Sequence, residues 1–413
     1  MLEPQSTAFF VLLMVIFGGL LVWVVMAKQV VFRVLAACLA FIPAMVFGIA
    51  AVNKYYDYYQ TWSAAFNDVT GQGGAGISKL PAGLGGNAGA EISIQSTTED
   101  EQFGHLFQTT ITGPVSHLTR TVIVYLPPQY FQPAYKHYKF PAIELLHGSP
   151  GQPVTWVNVL GLVPTYQSLL ARNEAAPAVL VMPDTNGGLQ YGLQCLNDPH
   201  GLQDMTFVAR EVPQWVYTNL RVQSLGRDWG VAGYSEGGYC AANIGLQNPN
   251  RFSFVGSMSG YFAPLKSKVP ENGRPGGRPH IVNVFAGDPP LQLLNTPIRY
   301  IQHISPAVEI PQFFLAAGQA DPGDVQALAN FQQLVQLRQP GTQYFILKGA
   351  GHQARVWRAA LTPMLRWMTP LLQQNAMLPP PTQSRLPGKK VVRTHGRKIP
   401  LQPHGTVPPP RKP

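Results

Sequence analysis

Two long uncharged segments open the chain, and they constrain its fold more than any other feature. The segments are 8–27, AFFVLLMVIFGGLLVWVVMA, and 34–52, VLAACLAFIPAMVFGIAAV. A helix of about 20 apolar residues is long enough to cross the hydrocarbon core of a bilayer. A short loop with Lys28 and Arg33 separates the two segments. The sequence therefore predicts a helical hairpin in a membrane, and we assign residues 1–53 to a membrane anchor.

A cleaved signal peptide is the alternative explanation for the first segment. Signal peptides begin with a basic region, whereas the residues before Ala8 carry only the acidic Glu3. A second apolar segment directly after the first also favours an uncleaved anchor. Because positively charged loops tend to stay in the cytoplasm, Lys28 and Arg33 place the rest of the chain outside. The expected location is a multi-pass position in the cell membrane, with the bulk of the chain extracytoplasmic.

The composition changes twice more beyond the anchor. Residues 54–94 begin with aromatic side chains and continue into a glycine-rich stretch, which is typical of a tether. Residues 376–413 are rich in proline and predict a disordered tail. Eight Lys and Arg residues and no acid lie from residue 385 onward, so this tail accounts for most of the net charge of +10. The folded body is nearly neutral, which argues against a nucleic-acid partner. The tail either stays solvated or contacts anionic lipid or an envelope polymer.

The segment between tether and tail, 95–375, alternates strand-like and helix-like patterns. Such alternation is typical of an α/β domain with a mostly parallel central sheet. The first two strands have no helix between them, so we expect them to form an antiparallel edge. The predicted strands are 106–112, 120–126, 142–146, 178–182, 229–232, 254–257, 312–316 and 343–347. The predicted helices include 206–220, 238–247, 325–337 and 353–368.

The sequence GYSEG at residues 233–237 fits the pattern G-x-S-x-G. An apolar run precedes it and a helix-like segment follows it, as in the strand, sharp turn and helix of a nucleophile elbow. Such a turn lifts the serine hydroxyl above the edge of the sheet. The pattern therefore predicts Ser235 as a nucleophile.

A serine hydroxyl attacks only when a nearby base removes its proton. In folds with this elbow the chain order is serine, acid and histidine. His352 follows the last predicted strand in a glycine-rich loop, whereas the other histidines after Ser235 come too early or lie in the tail. We favour Asp321, just after the strand QFFLAAG, as the acid that orients His352. Asp324 is the close alternative and Glu309 a distant one, and an acid in this region can instead cap the next helix.

An oxyanion hole needs two backbone N–H donors. The residue after the nucleophile, Glu236, is one expected donor. The loop HGSPG after the third predicted strand supplies the other, and Ser149 is favoured because Pro150 has no N–H. His147 in the same loop has no partner at a metal-ligand spacing. We therefore predict no metal and no other cofactor.

The chain has three cysteines. Cys38 lies in the second apolar segment and is explained as an apolar residue. An extracytoplasmic domain is in an oxidising environment, where Cys195 and Cys240 could pair. A bridge between them would hold the loop QCLNDPHG beside Ser235. We favour this disulfide over two buried free thiols.

A set of motifs in the predicted α/β domain resembles the putative-esterase branch of the α/β-hydrolases. This branch includes esterase D-like enzymes and the actinobacterial antigen 85 mycolyltransferases. The motifs are LLHGSPG, VMPDTNGG, QCLNDPHG, VAGYSEGGYCAANIGLQNP, FSFVGSMSGYF and GAGHQARVW, in that order along about residues 95–372. The resemblance implies an α/β-hydrolase fold behind the anchor, with Ser235, Asp321 and His352 as its triad. It also implies Ser149 and Glu236 as oxyanion donors, although a methionine often follows the serine in this branch.

Three functions follow from these residues. The favoured one is a membrane-anchored serine esterase that cleaves carboxylic esters of lipids or envelope acyl groups through an acyl-enzyme. The alternative is an acyltransferase of the mycolyltransferase kind, in which a sugar or lipid hydroxyl replaces water. The third is an inactive, anchored binding protein on the same frame. Fold alone does not choose among them.

Overall fold

The computed structural model describes residues 2–70, 77–79, 97–188, 192–199, 201–265, 267–270, 279–282, 285 and 287–377. The strands, in chain order, are β1 (Ile77–Lys79), β2 (His105–Thr112), β3 (Thr119–Leu126), β4 (Ala142–Leu146), β5 (Val179–Pro183), β6 (Gly226–Tyr234), β7 (Phe252–Met258), β8 (Ser267–Pro270), β9 (Pro279–Val282), β10 (Gln312–Gly318) and β11 (Gln343–Leu347). The helices are α1 (Thr7–Met26), α2 (Val30–Tyr56), α3 (Trp62–Val69), α4 (Thr98–Phe103), α5 (Pro128–Phe131), α6 (Thr155–Asn158), α7 (Leu162–Ala171), α8 (Asp204–Thr206), α9 (Val212–Asn219), α10 (Glu236–Gln247), α11 (Pro289–Leu294), α12 (Pro297–Tyr300), α13 (Pro322–Gln336) and α14 (Ala354–Met377). Most of the predicted glycine-rich stretch, and the predicted tail from residue 378 on, lie outside the described residues.

The main sheet has nine strands in the order β1-β2-β3-β5-β4-β6-β7-β10-β11. Strand β3 runs antiparallel to both β2 and β5, and the other neighbouring pairs are parallel. The prediction of a mostly parallel sheet is therefore confirmed. A separate pair, β8 and β9, is antiparallel.

The predicted antiparallel pair at the sheet edge is present, but it does not form the edge itself. Strand β1 pairs in parallel with β2, with Ile77 opposite Leu106. Because β1 is only three residues long, it has too little alternation to be recognised within a glycine-rich stretch.

Strands β4 and β5 are apolar, apart from Glu144 of β4, because both faces of the sheet are covered. Every residue of β4 and β5 is buried, as expected where helices cover both sides of parallel strands. Helices α7 and α14 pack on one face, and α10 and α13 pack on the other. Helix α14 is longer than predicted, since it continues through Pro363 and Pro370 to Met377.

Helices α1 and α2 are both long and apolar enough to cross a membrane. They pack against each other, and the rings of Phe10 and Phe47 are 5.2 Å apart, centroid to centroid. Helix α2 continues to Tyr56, which is beyond the predicted boundary at residue 53. Helix α3 then lies within the segment predicted as a tether, and its Trp62 ring is 5.2 Å from that of Phe9.

Candidate active site

Ser235 stands at the turn between β6 and α10, where a nucleophile elbow is expected. Its φ of +55° is left-handed, a conformation that is costly for a residue other than glycine and is found at functional sites. The Ser235 N–H donates to the Met258 carbonyl at 2.8 Å and holds the turn. A Cβ at Gly237 would lie 2.1 Å from the Leu146 carbonyl oxygen. Only glycine therefore allows α10 to start this close to the end of β4.

Ser235, His352 and Asp324 form one hydrogen-bonded row. His352 Nε2 lies 2.9 Å from Ser235 Oγ, and His352 Nδ1 lies 2.8 Å from Asp324 Oδ2. The three residues follow β6, β11 and β10, whose carboxyl ends meet at one edge of the sheet. The His352 side chain is about one-third exposed, and Ser235 is half-buried. The row is therefore open to solvent.

Asp324, rather than the favoured Asp321, is the carboxylate next to His352. Asp321 is the N-cap of α13, and its Oδ1 accepts a hydrogen bond from the Asp324 backbone N–H at 3.0 Å. A capping side chain turns back onto the helix to satisfy a free N–H. This engagement leaves Asp324, in the first turn, to reach His352.

The loop after β4 passes directly beside Ser235. A Cβ at Gly148 would lie 3.1 Å from the Ser235 Cβ. The buried His147 ring fixes this loop, because its Nδ1 donates to the Gly148 carbonyl at 2.8 Å and its Nε2 accepts from the Thr185 N–H at 3.0 Å. His147 thus has a structural role here. That Ser149 and Glu236 donate their N–H groups to an oxyanion stays a prediction.

The Glu236 side chain is buried and directed at the chain segment 192–194. Its Oε1 accepts a hydrogen bond from the Gln194 N–H at 3.1 Å. Burial raises the pKa of the Glu236 carboxyl to about 7, although the Gln194 N–H and His147 act in the opposite direction. The glutamate that departs from the resemblance therefore supports a neighbouring loop, while its backbone stays at the elbow.

Cys195 and Cys240 form a disulfide, which confirms the predicted pair. Both residues are buried, and Cys240 lies on α10 one turn after Glu236. The carboxylate and the disulfide therefore hold the segment 192–195 against the same face of α10. The sequence motif did not reveal this joint role, since it shows neither the side-chain direction of Glu236 nor its contact with Gln194.

Three aromatic side chains pack in a row that ends at the His352 ring. The Trp156 and Tyr234 rings are 5.1 Å apart, Tyr234 stacks on Trp357 at 4.5 Å, and Trp357 meets the His352 ring edge-on at 5.5 Å. These residues come from α6, β6 and α14, far apart in the chain. Sequence reasoning missed the row, although Trp156 follows one of the resembling motifs and Trp357 ends another.

One group of possible metal ligands occurs among the described residues. Ligand atoms of Asp321, Asp324 and His352 all lie within 4.8 Å of one another. Both His352 nitrogens already face hydrogen-bond partners, and Asp321 caps α13. These hydrogen bonds account for the positions of all three side chains.

The model of the Esterase family, described as putative esterase, matches residues 117–368. This match spans more than half of the chain. The chain belongs to the Esterase family. An uncharacterized protein of Corynebacterium glutamicum is 27% identical to the present chain over 349 residues. The matched part is 81% of this chain and 76% of that protein. The diacylglycerol acyltransferase/mycolyltransferase Ag85B of Mycolicibacterium smegmatis is 31% identical over 83 residues, 20% of this chain and 22% of that one.

Solved structures agree with the α/β-hydrolase fold. A ferulic acid esterase superposes with a TM-score of 0.53 at 22% identity, over 65% of this chain and 98% of the other. An S-formylglutathione hydrolase from Agrobacterium tumefaciens gives 0.51 at 16% identity, over 68% of this chain and 99% of the other. The predicted fold is confirmed, and membership of the Esterase family identifies the chain as an enzyme that acts on esters.

Proposed function

We propose that this esterase-family protein is a membrane-anchored, extracytoplasmic serine esterase that cleaves carboxylic ester bonds of lipids or envelope acyl groups. The row Ser235–His352–Asp324 is the observation that supports this proposal most directly. A serine within hydrogen-bond reach of a histidine, itself oriented by a carboxylate, is the arrangement that activates a hydroxyl for attack on a carbonyl.

In the proposed reaction, Ser235 Oγ attacks the ester carbonyl while His352 Nε2 takes its proton. The Asp324 carboxylate holds the imidazole in place and stabilises its positive charge. The tetrahedral intermediate collapses when His352 returns the proton to the leaving alcohol, which leaves an acyl group on Ser235. Water, activated by the same histidine, then releases the carboxylic acid.

The tetrahedral oxygen carries negative charge and needs preorganised donors. We propose the backbone N–H groups of Glu236 and Ser149 for this role. The first turn of α10 and the loop after β4 lie against each other, since Gly237 packs on the Leu146 carbonyl. That closeness supports two donors converging beside Ser235.

Acyl transfer is the second candidate, and the local similarity to a mycolyltransferase favours it. The first half of the reaction is the same. In the second half, a sugar or lipid hydroxyl attacks the acyl-enzyme in place of water. The same residues serve both outcomes, so only the acceptor distinguishes them.

The proposed anchor consists of α1 and α2. Their length and apolarity support a membrane hairpin, and Lys28 and Arg33 support a cytoplasmic loop between them. We keep residues 1–53 as the anchor, 54–94 as the connection, 95–375 as the catalytic domain and 376–413 as a basic tail. The tail is proposed to contact anionic lipid or an envelope polymer.

Labelling with a fluorophosphonate tests the proposal. Intact mass should show a single adduct on the full-length protein, no adduct on Ser235→Ala and slower labelling of His352→Ala. Ester hydrolysis with and without sugar or lipid acceptors then separates the esterase from the acyltransferase. Absence of labelling, under conditions that label a control esterase, would favour the inactive binding protein.

A further inference from the structure

Helix α3 has its polar and apolar faces reversed for a helix in water. Trp62, Phe66 and Val69 recur at helical spacing on one face and are 48%, 61% and 74% exposed. Asp68 lies on the opposite face and is only 4% exposed. A surface helix of a soluble domain shows the opposite arrangement. The apolar face of α3 fits instead the boundary between lipid headgroups and acyl chains, where Trp and Phe are favoured.

Helix α3 is hydrogen-bonded to the residues just before α1, and it follows the end of α2 closely in the chain. The Trp62 indole N–H donates to the Leu2 carbonyl at 2.7 Å, and the Trp62 backbone N–H donates to Glu3 Oε2 at 3.1 Å. Both partners lie just before α1. Tyr55 and Tyr56, in the last turn of α2, add two more exposed aromatic rings. We name residues 53–69 the interfacial platform.

The platform is attached to the loop that runs past Ser235. Asp68 Oδ1 accepts a hydrogen bond from Thr155 Oγ1 at 2.8 Å, and the Asp68 carbonyl accepts one from the Gln152 side chain. Asp68 Oδ2 accepts from the Tyr59 hydroxyl at 2.8 Å. One buried carboxylate thus ties the platform to the chain that follows the predicted oxyanion donor Ser149.

A second attachment joins the platform to the loop of His352. The Gln353 side chain, next in the chain after His352, donates to the Tyr55 carbonyl at 2.5 Å. One turn further on, Arg358 donates to the Asp57 carboxylate and carbonyl and to the Val159 carbonyl. Both loops of the site are therefore bonded to the element that leaves the hairpin.

Resting on the proposed function, we propose that the interfacial platform holds the Ser235 edge of the sheet at the bilayer surface, and that the ester substrate is a lipid drawn from that same membrane. A hinged tether would let the domain sample soluble esters on all sides. A platform bonded to both site loops keeps the nucleophile close to esters at the headgroup level and raises their effective concentration.

The position of the platform is measured first, without reference to activity. Phe66→Cys in a Cys38→Ala background is labelled with a fluorophore, and the full-length protein is placed in phosphatidylcholine–phosphatidylglycerol vesicles that contain nitroxide lipid. Leu337→Cys is the matched control, since Leu337 is also apolar and 83% exposed but follows α13 on the other face of the sheet. Quenching at 66 and not at 337 is the expected result. Equal quenching at both positions would overturn the platform.

The source of the substrate is measured next, as a ratio of two rates. The same vesicles carry a fluorogenic diacyl ester lipid, and a short-chain water-soluble ester is the reference. Trp62→Ser with Phe66→Ser should lower the ratio of lipid to soluble turnover by about fivefold, whereas Leu337→Ser should keep the wild-type ratio. An unchanged ratio in the double variant would overturn the membrane source. If the wild type hydrolyses neither ester while position 66 is quenched, the proposed function fails and the platform stands.

Discussion

Asp321 Oδ1 accepts a hydrogen bond from the backbone N–H of Asp324 at 3.0 Å and thereby sets the first turn of α13. The same turn points the Asp324 carboxylate at His352, where Oδ2 and Nδ1 are 2.8 Å apart. The two acids therefore have different roles. Asp321 caps the start of α13, and Asp324 contacts the His352 imidazole.

This division predicts different effects for two matched substitutions. Asp324→Asn should slow fluorophosphonate labelling and ester hydrolysis by about a thousandfold or more, because an amide cannot hold or stabilise the charged imidazole in the same way. Asp321→Asn should slow both by less than about tenfold, since asparagine is an equally good N-cap. Rate constants for labelling, with circular dichroism to check folding, measure the difference. Similar losses in both variants would contradict the assignment.

Chain position favoured Asp321 as the acid, whereas the structure places Asp324 beside His352. The expectation that the acid follows β10 restricted the choice to a few residues. It did not separate Asp321 from Asp324, because these residues are three positions apart and both lie at the start of α13. Which of them reaches His352 depends on the side-chain direction at a helix cap, and a linear pattern does not contain that direction. The candidates Ser235 and His352 left less choice, because each stands without a close rival after the end of its strand.

The fold was predictable where a strand is a run of mostly apolar residues, whether the strand is fully buried, as β4 is, or only partly buried at the sheet edge, as β11 is. The bounds predicted for β4 and β11 agree with the structure. Strand β1 and helix α3 were missed for a different reason. Each is short and lies in a stretch whose composition is typical of a tether, and each is stabilised by contacts with residues distant in the chain, such as those of Ile77 with Leu106 and of Asp68 with Thr155.

Gly237 should not tolerate a side chain. The substitution Gly237→Ala would place a methyl group 2.1 Å from the Leu146 carbonyl oxygen, so the elbow and the end of β4 must separate. We expect a loss of about 3 kcal/mol in the free energy of unfolding and slower labelling of Ser235. Gly351→Ala is the control, since nothing lies within 4 Å of its added methyl group. Thermal unfolding of both variants beside the wild type checks this, and equal midpoints would refute the steric argument.

Reduction of the Cys195–Cys240 disulfide should destabilise the domain. The bridge closes a loop of 45 residues, and the loop-entropy relation gives about 4 kcal/mol of stabilisation for that length. The double variant Cys195→Ala, Cys240→Ala should therefore unfold at a lower temperature, and dithiothreitol should lower the midpoint of the wild type but not that of the double variant. Cys38→Ala, which removes the exposed free thiol, should respond to dithiothreitol as the wild type does. A double variant as stable as the wild type would show that the bridge does not stabilise the fold.

Glu236 should make the stability of the protein fall as the pH rises through the slightly acidic range. Burial raises the pKa of its carboxyl from near 4.5 to about 7 in the folded protein. Below pH 4.5 the carboxyl is protonated in both the folded and the unfolded chain, so it has no effect on the pH dependence. Between pH 4.5 and 7 the unfolded chain loses this proton first, and the folded state loses up to about 3 kcal/mol relative to the unfolded state.

Glu236→Gln replaces the titratable carboxyl by a neutral amide, whose oxygen can still accept a hydrogen bond from the Gln194 N–H. The unfolding midpoint of the variant, relative to the wild type, should therefore rise between pH 5 and pH 8. Glu309→Gln, at an exposed position, is the matched control and should follow the wild type at both pH values. If the difference between Glu236→Gln and the wild type is the same at pH 5 and pH 8, then the carboxyl is already charged in the folded protein at pH 5. In that case Gln194 and the surrounding polar groups stabilise the charge more than burial opposes it.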